Sequence, residues 1–172
     1  MQGEEWEQLT TRMRTQLETV HTLYEISAGF LSQMHTHDVM FLLLRSLIDQ
    51  LPNAISTAFY TREKGADWRR GRIYARSESL SVQRGWTKGD VWPGEELVLE
   101  ACREERKPQA VSSEDTRYAF VDRIADLGAR QVLYYPLVLP NSGFTGVIGV
   151  LLSEARPLRV HQSALVQAII QQ

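Results

Sequence analysis

Residues 132–152 read VLYYPLVLPNSGFTGVIGVLL. A run of apolar residues, Val132 to Leu139, meets Pro140-Asn141-Ser142-Gly143, and a second run continues from Phe144 to Leu152. Proline, asparagine, serine and glycine together are turn chemistry, so the stretch is a β-hairpin. Its second strand carries Gly146 and Gly149 among β-branched residues. Glycine weakens a strand, and its presence there marks a bulge or the close approach of another group. Two approaches are compatible with the residues: terminal helices packed on the strand, or backbone clearance for a ligand.

Upstream of the hairpin the period alternates between 2 and 3.6. Ile55–Thr61 (ISTAFYT) and Arg72–Arg76 (RIYAR) read as paired strands around the turn-rich KGADWRRG. The Arg69, Arg70 and Arg72 group beside that turn reads as a solvated face. A polar stretch with Trp86 and Trp92 leads to Pro93-Gly94. Glu95–Arg106 is a helix, acidic in its first turn and basic in its last, as the helix dipole favours. Gln109–Val111 is a short strand, and Ser112 or Ser113 caps a helical segment over 116–127.

The first third is helical in pattern. Trp6, Leu9, Met13, Gln16, Val20, Leu23, Ser27, Phe30 and Met34 recur in steps of three and four, a heptad seam that predicts a helix-helix dimer contact. The polar Gln16 and Ser27 weaken such a seam while fixing its register. A second helix, Asp38–Leu51, places Met40, Leu43, Leu44, Leu47 and Leu51 on one side and stops at Pro52-Asn53. A last helix from Arg159 runs to Gln172 without a C-cap glycine or a following proline, so it is expected to continue into a further module. The division expected is 1–35 as a signalling and dimerisation helix, 36–158 as the body, and 159–172 as an exit helix.

At 172 residues a single α+β body is expected. A formal net charge of −2 with scattered arginines gives no case for nucleic acid. The longest apolar run, Val39–Leu44, is far too short to span a bilayer, so no direct membrane contact and a cytoplasmic location are expected. Cys102 is the one cysteine, which excludes an internal disulfide or a two-thiol cycle within the chain.

The order of these elements, and three stretches in particular, resemble a GAF domain. LYEISAGFLSQMHTHDVMFLLLRSLIDQLPNAISTAFYTRE looks like that family's entry helices and first strand, VWPGEELVLEACREERKPQAVSSEDTRYAF like its central helix and following short strand, and QVLYYPLVLPNSGFTGVIGVLLSEARPL like its closing hairpin. The resemblance covers roughly Leu17 to the end. It implies a central antiparallel sheet with N- and C-terminal helices on one face and a loop-roofed pocket on the other. It also implies a sensory module of a bacterial signalling protein, such as a histidine kinase, a diguanylate cyclase or a transcriptional activator.

The known GAF chemistries each need particular residues. A bilin is held through a cysteine, usually with histidine next to it, and Arg103 follows Cys102 on a predicted helix. Haem needs an axial histidine in the body, whereas His21, His35, His37 and His161 fall on the entry and exit helices or their junction. The cyclic-nucleotide signature has only a faint echo in Phe120 and Asp122. A methionine sulfoxide reductase of this fold uses several cysteines. His35-Thr36-His37-Asp38 reads as helix capping rather than a metal site, and His161 lacks the acidic residue after it that a phosphoacceptor pattern carries. Cys102, with Glu100, Glu104 and Glu105 nearby, reads as a buried small residue.

No Walker loop, dinucleotide fingerprint or nucleophile-base arrangement is present, so no enzyme is expected. By position the pocket would be lined by Tyr74, Trp86, Trp92, Leu99, Cys102, Tyr118, Phe120, Ile124 and Tyr134. Arg117 or Arg130 would add an anionic contact. Such an aromatic-rich lining suits a flat or apolar small molecule of unknown identity, with no cofactor assignable. The competing expectation is that these aromatics form a filled core, and that the chain is a homodimeric relay module that binds nothing.

Overall fold

The structure, a computed structural model, describes residues 36–63, 65–76, 86–139, 143–158 and 160–170. The heptad positions Trp6, Leu9, Met13, Val20, Leu23 and Phe30 lie outside the described residues. Met40–Gln172 cluster as one compact unit, and that unit holds the whole sheet.

The described elements are α1 (Thr36–Gln50), β1 (Ala54–Thr61), β2 (Arg69–Ala75), β3 (Gly89–Asp90), α2 (Glu95–Glu105), β4 (Gln109–Ser112), α3 (Val121–Asp126), β5 (Gln131–Leu139), β6 (Gly143–Leu152) and α4 (Val160–Ile170). The six strands form one antiparallel sheet in the order β3-β2-β1-β6-β5-β4. The hairpin read from residues 132–152 is its centre, β5 paired with β6 from Gln131↔Leu152 to Leu139↔Gly143. Both edges are short, two residues in β3 and four in β4, which leaves little unpaired backbone to attract another chain.

The sheet is buried on both faces, which is why its central strands are apolar throughout rather than alternating with polar residues. The period of two survives in where each side chain packs. Val132 and Tyr134 of β5, with Val147 and Leu151 of β6, join Val98, Leu99 and Cys102 of α2 and Ile124 of α3. Leu133, Tyr135 and Leu137, with Ile148, Val150 and Leu152, join Leu44, Leu47 and Ile48 of α1, Leu51 just after it, and Val166 and Ile170 of α4. Terminal helices on one face and loops with short helices on the other is the arrangement expected.

Gly146 and Gly149 of β6 face neither a helix nor an open space. A Cβ at Gly149 would lie 2.8 Å from Cε2 of Tyr60, and one at Gly146 would lie 2.6 Å from Cε2 of Phe59 and 2.5 Å from the Tyr60 carbonyl oxygen. The approaching groups are aromatic rings of the neighbouring strand β1, one on each face of the sheet. The close approach of another group that these glycines predicted is present, as neighbouring side chains and backbone of β1; the narrower readings, helix packing and ligand clearance, are corrected by this contact.

Two expected boundaries move and one strand is added. β2 begins at Arg69 rather than Arg72, so two arginines assigned to a turn are strand residues. The helix expected over 116–127 is confined to Val121–Asp126. The chain before it is turns held by Asp115, whose Oδ1 accepts from the Arg117 backbone N–H at 3.1 Å. The two-residue β3 was not anticipated.

Candidate functional site

On the face covered by α2 and α3 the sheet carries a buried ion pair inside a shell of aromatic rings. Arg70 of β2 and Glu95, the first residue of α2, are 1% and 0% exposed, and Arg70 Nη2 donates to Glu95 Oε2 at 2.7 Å. Taking two charges out of water costs several kcal/mol per ion unless every remaining lone pair and proton is satisfied. The surroundings give each guanidinium nitrogen and both carboxylate oxygens a partner. Glu95 Oε2 also accepts from the Trp92 backbone N–H at 2.9 Å, and Oε1 accepts from the hydroxyls of Tyr60 at 2.7 Å and Tyr134 at 2.9 Å. Arg70 Nε donates to the Tyr60 hydroxyl at 3.3 Å, and Nη1 to the Thr87 carbonyl at 3.2 Å.

The guanidinium carbon lies 4.4 Å from the ring centre of Trp86, 4.7 Å from that of Trp92 and 5.5 Å from that of Tyr60. These are distances at which an aromatic face attracts a cation, the more strongly when water is excluded. The rings touch one another in turn: Trp86 and Trp92 are 5.1 Å apart, Tyr60 and Trp86 6.1 Å, and Trp92 and Phe120 stack at 6.1 Å.

Local sequence explains how the parts arrive. Gly94 adopts φ 89°, a left-handed conformation that suits glycine, and the Glu95 N–H closes a turn onto the Trp92 carbonyl at 2.9 Å. That turn starts α2 with Glu95 at its N-terminus, where the helix dipole favours a carboxylate. On β6, Gly149 leaves room for the Tyr60 ring of β1 to lie across the sheet with its hydroxyl at Glu95.

Burial, and then the Glu95 carboxylate, push the Tyr60 and Tyr134 hydroxyls well above the usual phenol range, so both stay protonated donors. Burial alone would lower the Arg70 pKa, but Tyr60 and Glu95 carry the balance upward and the guanidinium stays charged. Cys102 is buried, its Sγ 3.6 Å from the Tyr134 carbonyl, and burial with Glu105 nearby pushes its thiol up to about 12. At neutral pH it is a thiol, not the thiolate that nucleophilic chemistry needs. Among the described residues no cluster of three metal-ligating side chains occurs.

Of the residues singled out in the sequence, Trp86, Trp92, Leu99, Cys102, Phe120, Ile124 and Tyr134 meet in one buried cluster, with Tyr118 packed against it. Tyr74 does not join them. It packs on the opposite face, edge-on to Phe41 with ring centres 5.3 Å apart. Arg117 is on the surface, paired with Asp115 at 2.7 Å, and Arg130 is exposed. The residues that organise the cluster, Arg70, Glu95 and Tyr60, were not singled out, and Arg70 is corrected from a solvated residue to one of the most buried in the molecule. Once β2 is drawn from Arg69, a signal exists: Trp68 and Arg70 are two apart and turn the same way.

Beside the cluster an open groove of about 470 Å³ is lined by residues that include Arg62, Trp68, Glu96, Leu97 and Glu100. Glu100 accepts hydrogen bonds there from Arg62 at 2.7 Å, from Trp68 Nε1 at 3.0 Å and from Arg103. Burial, the largest single influence, opposes its ionisation, but the hydrogen bonds from Arg103 and Trp68 and the charges of Arg103 and Arg62 together outweigh it and hold its pKa below the usual carboxylate value.

No family model and no curated protein matches the chain. Solved structures do. The GAF domain of a two-component sensor histidine kinase from Bacillus halodurans superposes with a TM-score of 0.62 over 80% of this chain and 89% of that one, at 16% identity. A GAF domain from Synechocystis in its photoproduct state gives 0.60 at 13% identity, over 78% and 87%. Reduced fRMsr of Staphylococcus aureus gives 0.56 at 14%, over 85% and 86%. The fold of this chain is that of a GAF domain.

Proposed function

We propose that this chain is a non-enzymatic regulatory module of a bacterial signal-transduction protein, cytoplasmic and homodimeric, that relays a signal through its flanking helices. Its output partner would be of the histidine kinase, diguanylate cyclase or transcriptional activator kind. The similarity in fold to a histidine-kinase GAF domain supports the signalling role. One observation favours relay over sensing. Most of the side chains expected to line a ligand pocket are packed in the cluster around Arg70 and Glu95, whose polar atoms are satisfied from within the protein. A binding site ordinarily presents a few unmet polar groups to its ligand, and this one has spent them on itself.

A second reading, small-molecule sensing, has one observation in its favour: the buried Trp86 Nε1 has no hydrogen-bond acceptor among the described residues. In that reading Trp86, Trp92, Cys102, Tyr118, Phe120 and Tyr134 contact the molecule after the loop around Trp86 opens.

Native mass spectrometry of the purified protein, stepped from gentle to denaturing conditions, tests the proposal. A dimer without added mass is the expected result. A dimer with added mass that leaves on denaturation would replace relay by sensing and weigh the ligand. A monomer at micromolar concentration would remove the helix-mediated dimer.

A further inference from the structure

The aromatic shell around Arg70 has the composition of a receptor for a planar cation. Two indoles lie over the guanidinium, at 4.4 and 4.7 Å, a phenol ring lies at 5.5 Å, and a carboxylate closes the open edge at 2.7 Å. A carboxylate aimed into an aromatic cage is how a protein recognises a guanidinium or a substituted ammonium that comes from outside. Here the cation arrives on a tether, the side chain of β2. Its cage is built from four other places in the chain: Tyr60 on β1, Trp86 and Trp92 in the loop before α2, Glu95 on α2, and Tyr134 on β5.

We infer that this cage is a guanidinium-binding site whose resident ligand is Arg70. The inference deepens the relay reading above, because an internal ligand holds the loop, α2 and the sheet in the closed arrangement that a sensor would adopt only when occupied. Only Arg among the basic side chains suits the site. Its planar fork reaches Glu95 Oε2, the Thr87 carbonyl and the Tyr60 hydroxyl at once, while both indole ring centres lie within 4.7 Å of its central carbon. A lysine ammonium has no such plane.

The tether can be cut and the ligand returned. Arg70→Ala removes the part of the side chain beyond Cβ, and ethylguanidinium replaces the atoms lost. A six-atom cation is expected to bind with a dissociation constant on the order of millimolar. At ten times that constant it raises the thermal midpoint of Arg70→Ala by roughly 3–6 °C, and above the constant the rise grows with the logarithm of concentration. The wild-type protein, its cage filled, shows no rise. n-Butylammonium at equal ionic strength shows none with the variant, and Arg70→Ala/Glu95→Gln shows none with ethylguanidinium.

If Arg70→Ala is recovered only as unfolded material, the readout becomes the yield of folded protein on dilution. That yield is expected to rise with ethylguanidinium and not with butylammonium. The inference is overturned if Arg70→Ala melts within about 1 °C of the wild type, since a resident ligand must stabilise its cage. Equal responses to the two cations, or equal responses of variant and wild type, overturn it as well. None of these results depends on whether the protein is a dimer or carries added mass, so this inference and the relay reading can fail separately.

Discussion

A methyl group at position 149 would stand 2.8 Å from a ring carbon of Tyr60, while one at position 146 would stand 2.5 Å from the Tyr60 carbonyl oxygen. The two clashes differ in what can yield. Tyr60 can tilt, at the expense of its hydrogen bond to Glu95, but the carbonyl belongs to the β1–β6 ladder and cannot move without the strand. Gly149→Ala is therefore expected to cost about 1–3 kcal/mol, the range of an overpacked core, and Gly146→Ala more. Urea denaturation of both variants checks the order, and equal losses would mean that the strand moves as a whole. At Glu95 the loss is electrostatic. Glu95→Ala leaves Arg70 charged and buried, for an expected destabilisation of about 3–5 kcal/mol, whereas Arg70→Met/Glu95→Leu removes both charges and costs less than the sum of its single changes. A double-mutant cycle by urea denaturation measures that coupling; additivity within about 0.5 kcal/mol would mean that the pair does not act as a unit.

Between elements, the end of α1 shows how a helix is finished by a residue far along the chain. The helix has no basic residue in its last turn. Arg76, just past β2, donates instead to the carbonyls of Ile48 at 2.7 Å, Leu51 at 3.2 Å and Ala54 at 3.1 Å. The Ile48 carbonyl is an end-of-helix acceptor that the helix cannot satisfy alone, while Leu51, which also accepts from the Ala54 N–H, and Ala54 tie the helix end to the start of β1. Arg76→Ala is expected to cost about 1–2 kcal/mol and to raise amide exchange in the last turn of α1 before it affects β5 and β6. Exchange rising uniformly would show that Arg76 supports the fold rather than this helix end.

The same elements mark what the residues disclosed in advance. The hairpin, α1 and α2 are legible because each rests on a local period and a local stop signal. The faces of β2 are not. Ile73 lies opposite Ala58 and Arg70 opposite Tyr60, so Gly71 and Arg72 together oppose Phe59, and this bulge reverses which face the later residues take. That is why Tyr74 departs from the cluster while Arg70 enters it. A buried arginine also contradicts the apolar pattern by which cores are recognised, and its justification, Glu95 and two tryptophans, lies 16 to 25 residues downstream. Most of the aromatic wall of the site was legible, and its charged centre was not.

For the molecule as a whole, the consequence of burying so many weak acids on both faces of one sheet is a sensitivity to alkali. Cys102, Tyr60 and Tyr134 lie on one face and Tyr135 on the other. Burial pushes the Cys102 thiol from 9.0 up to about 12 and the Tyr135 hydroxyl from 10.0 up to about 12, and it raises Tyr60 and Tyr134 well above 10.0. In each case the folded pKa exceeds the unfolded one, so between the two values the native state keeps a proton that the unfolded chain has released. The unfolded state then binds fewer protons, and stability falls as pH rises. The contribution of these groups is fully present below pH 9, begins to fall there as unfolded Cys102 ionises, and falls more steeply above pH 10 when the three phenols join it. Each group removes at most about 1.4 kcal/mol per pH unit, and four together approach the whole stability of a domain within one to two units. The urea midpoint is expected to be flat from pH 7 to 8.5 and to decline from about pH 9. Cys102→Ala, by removing the first acid to titrate, moves the onset toward pH 10. A midpoint that holds level to pH 11 would mean that these hydroxyls ionise as readily in the fold as in the open chain. The hydrogen bonds from Tyr60 and Tyr134 would then be too weak to hold the Glu95 carboxylate in the core.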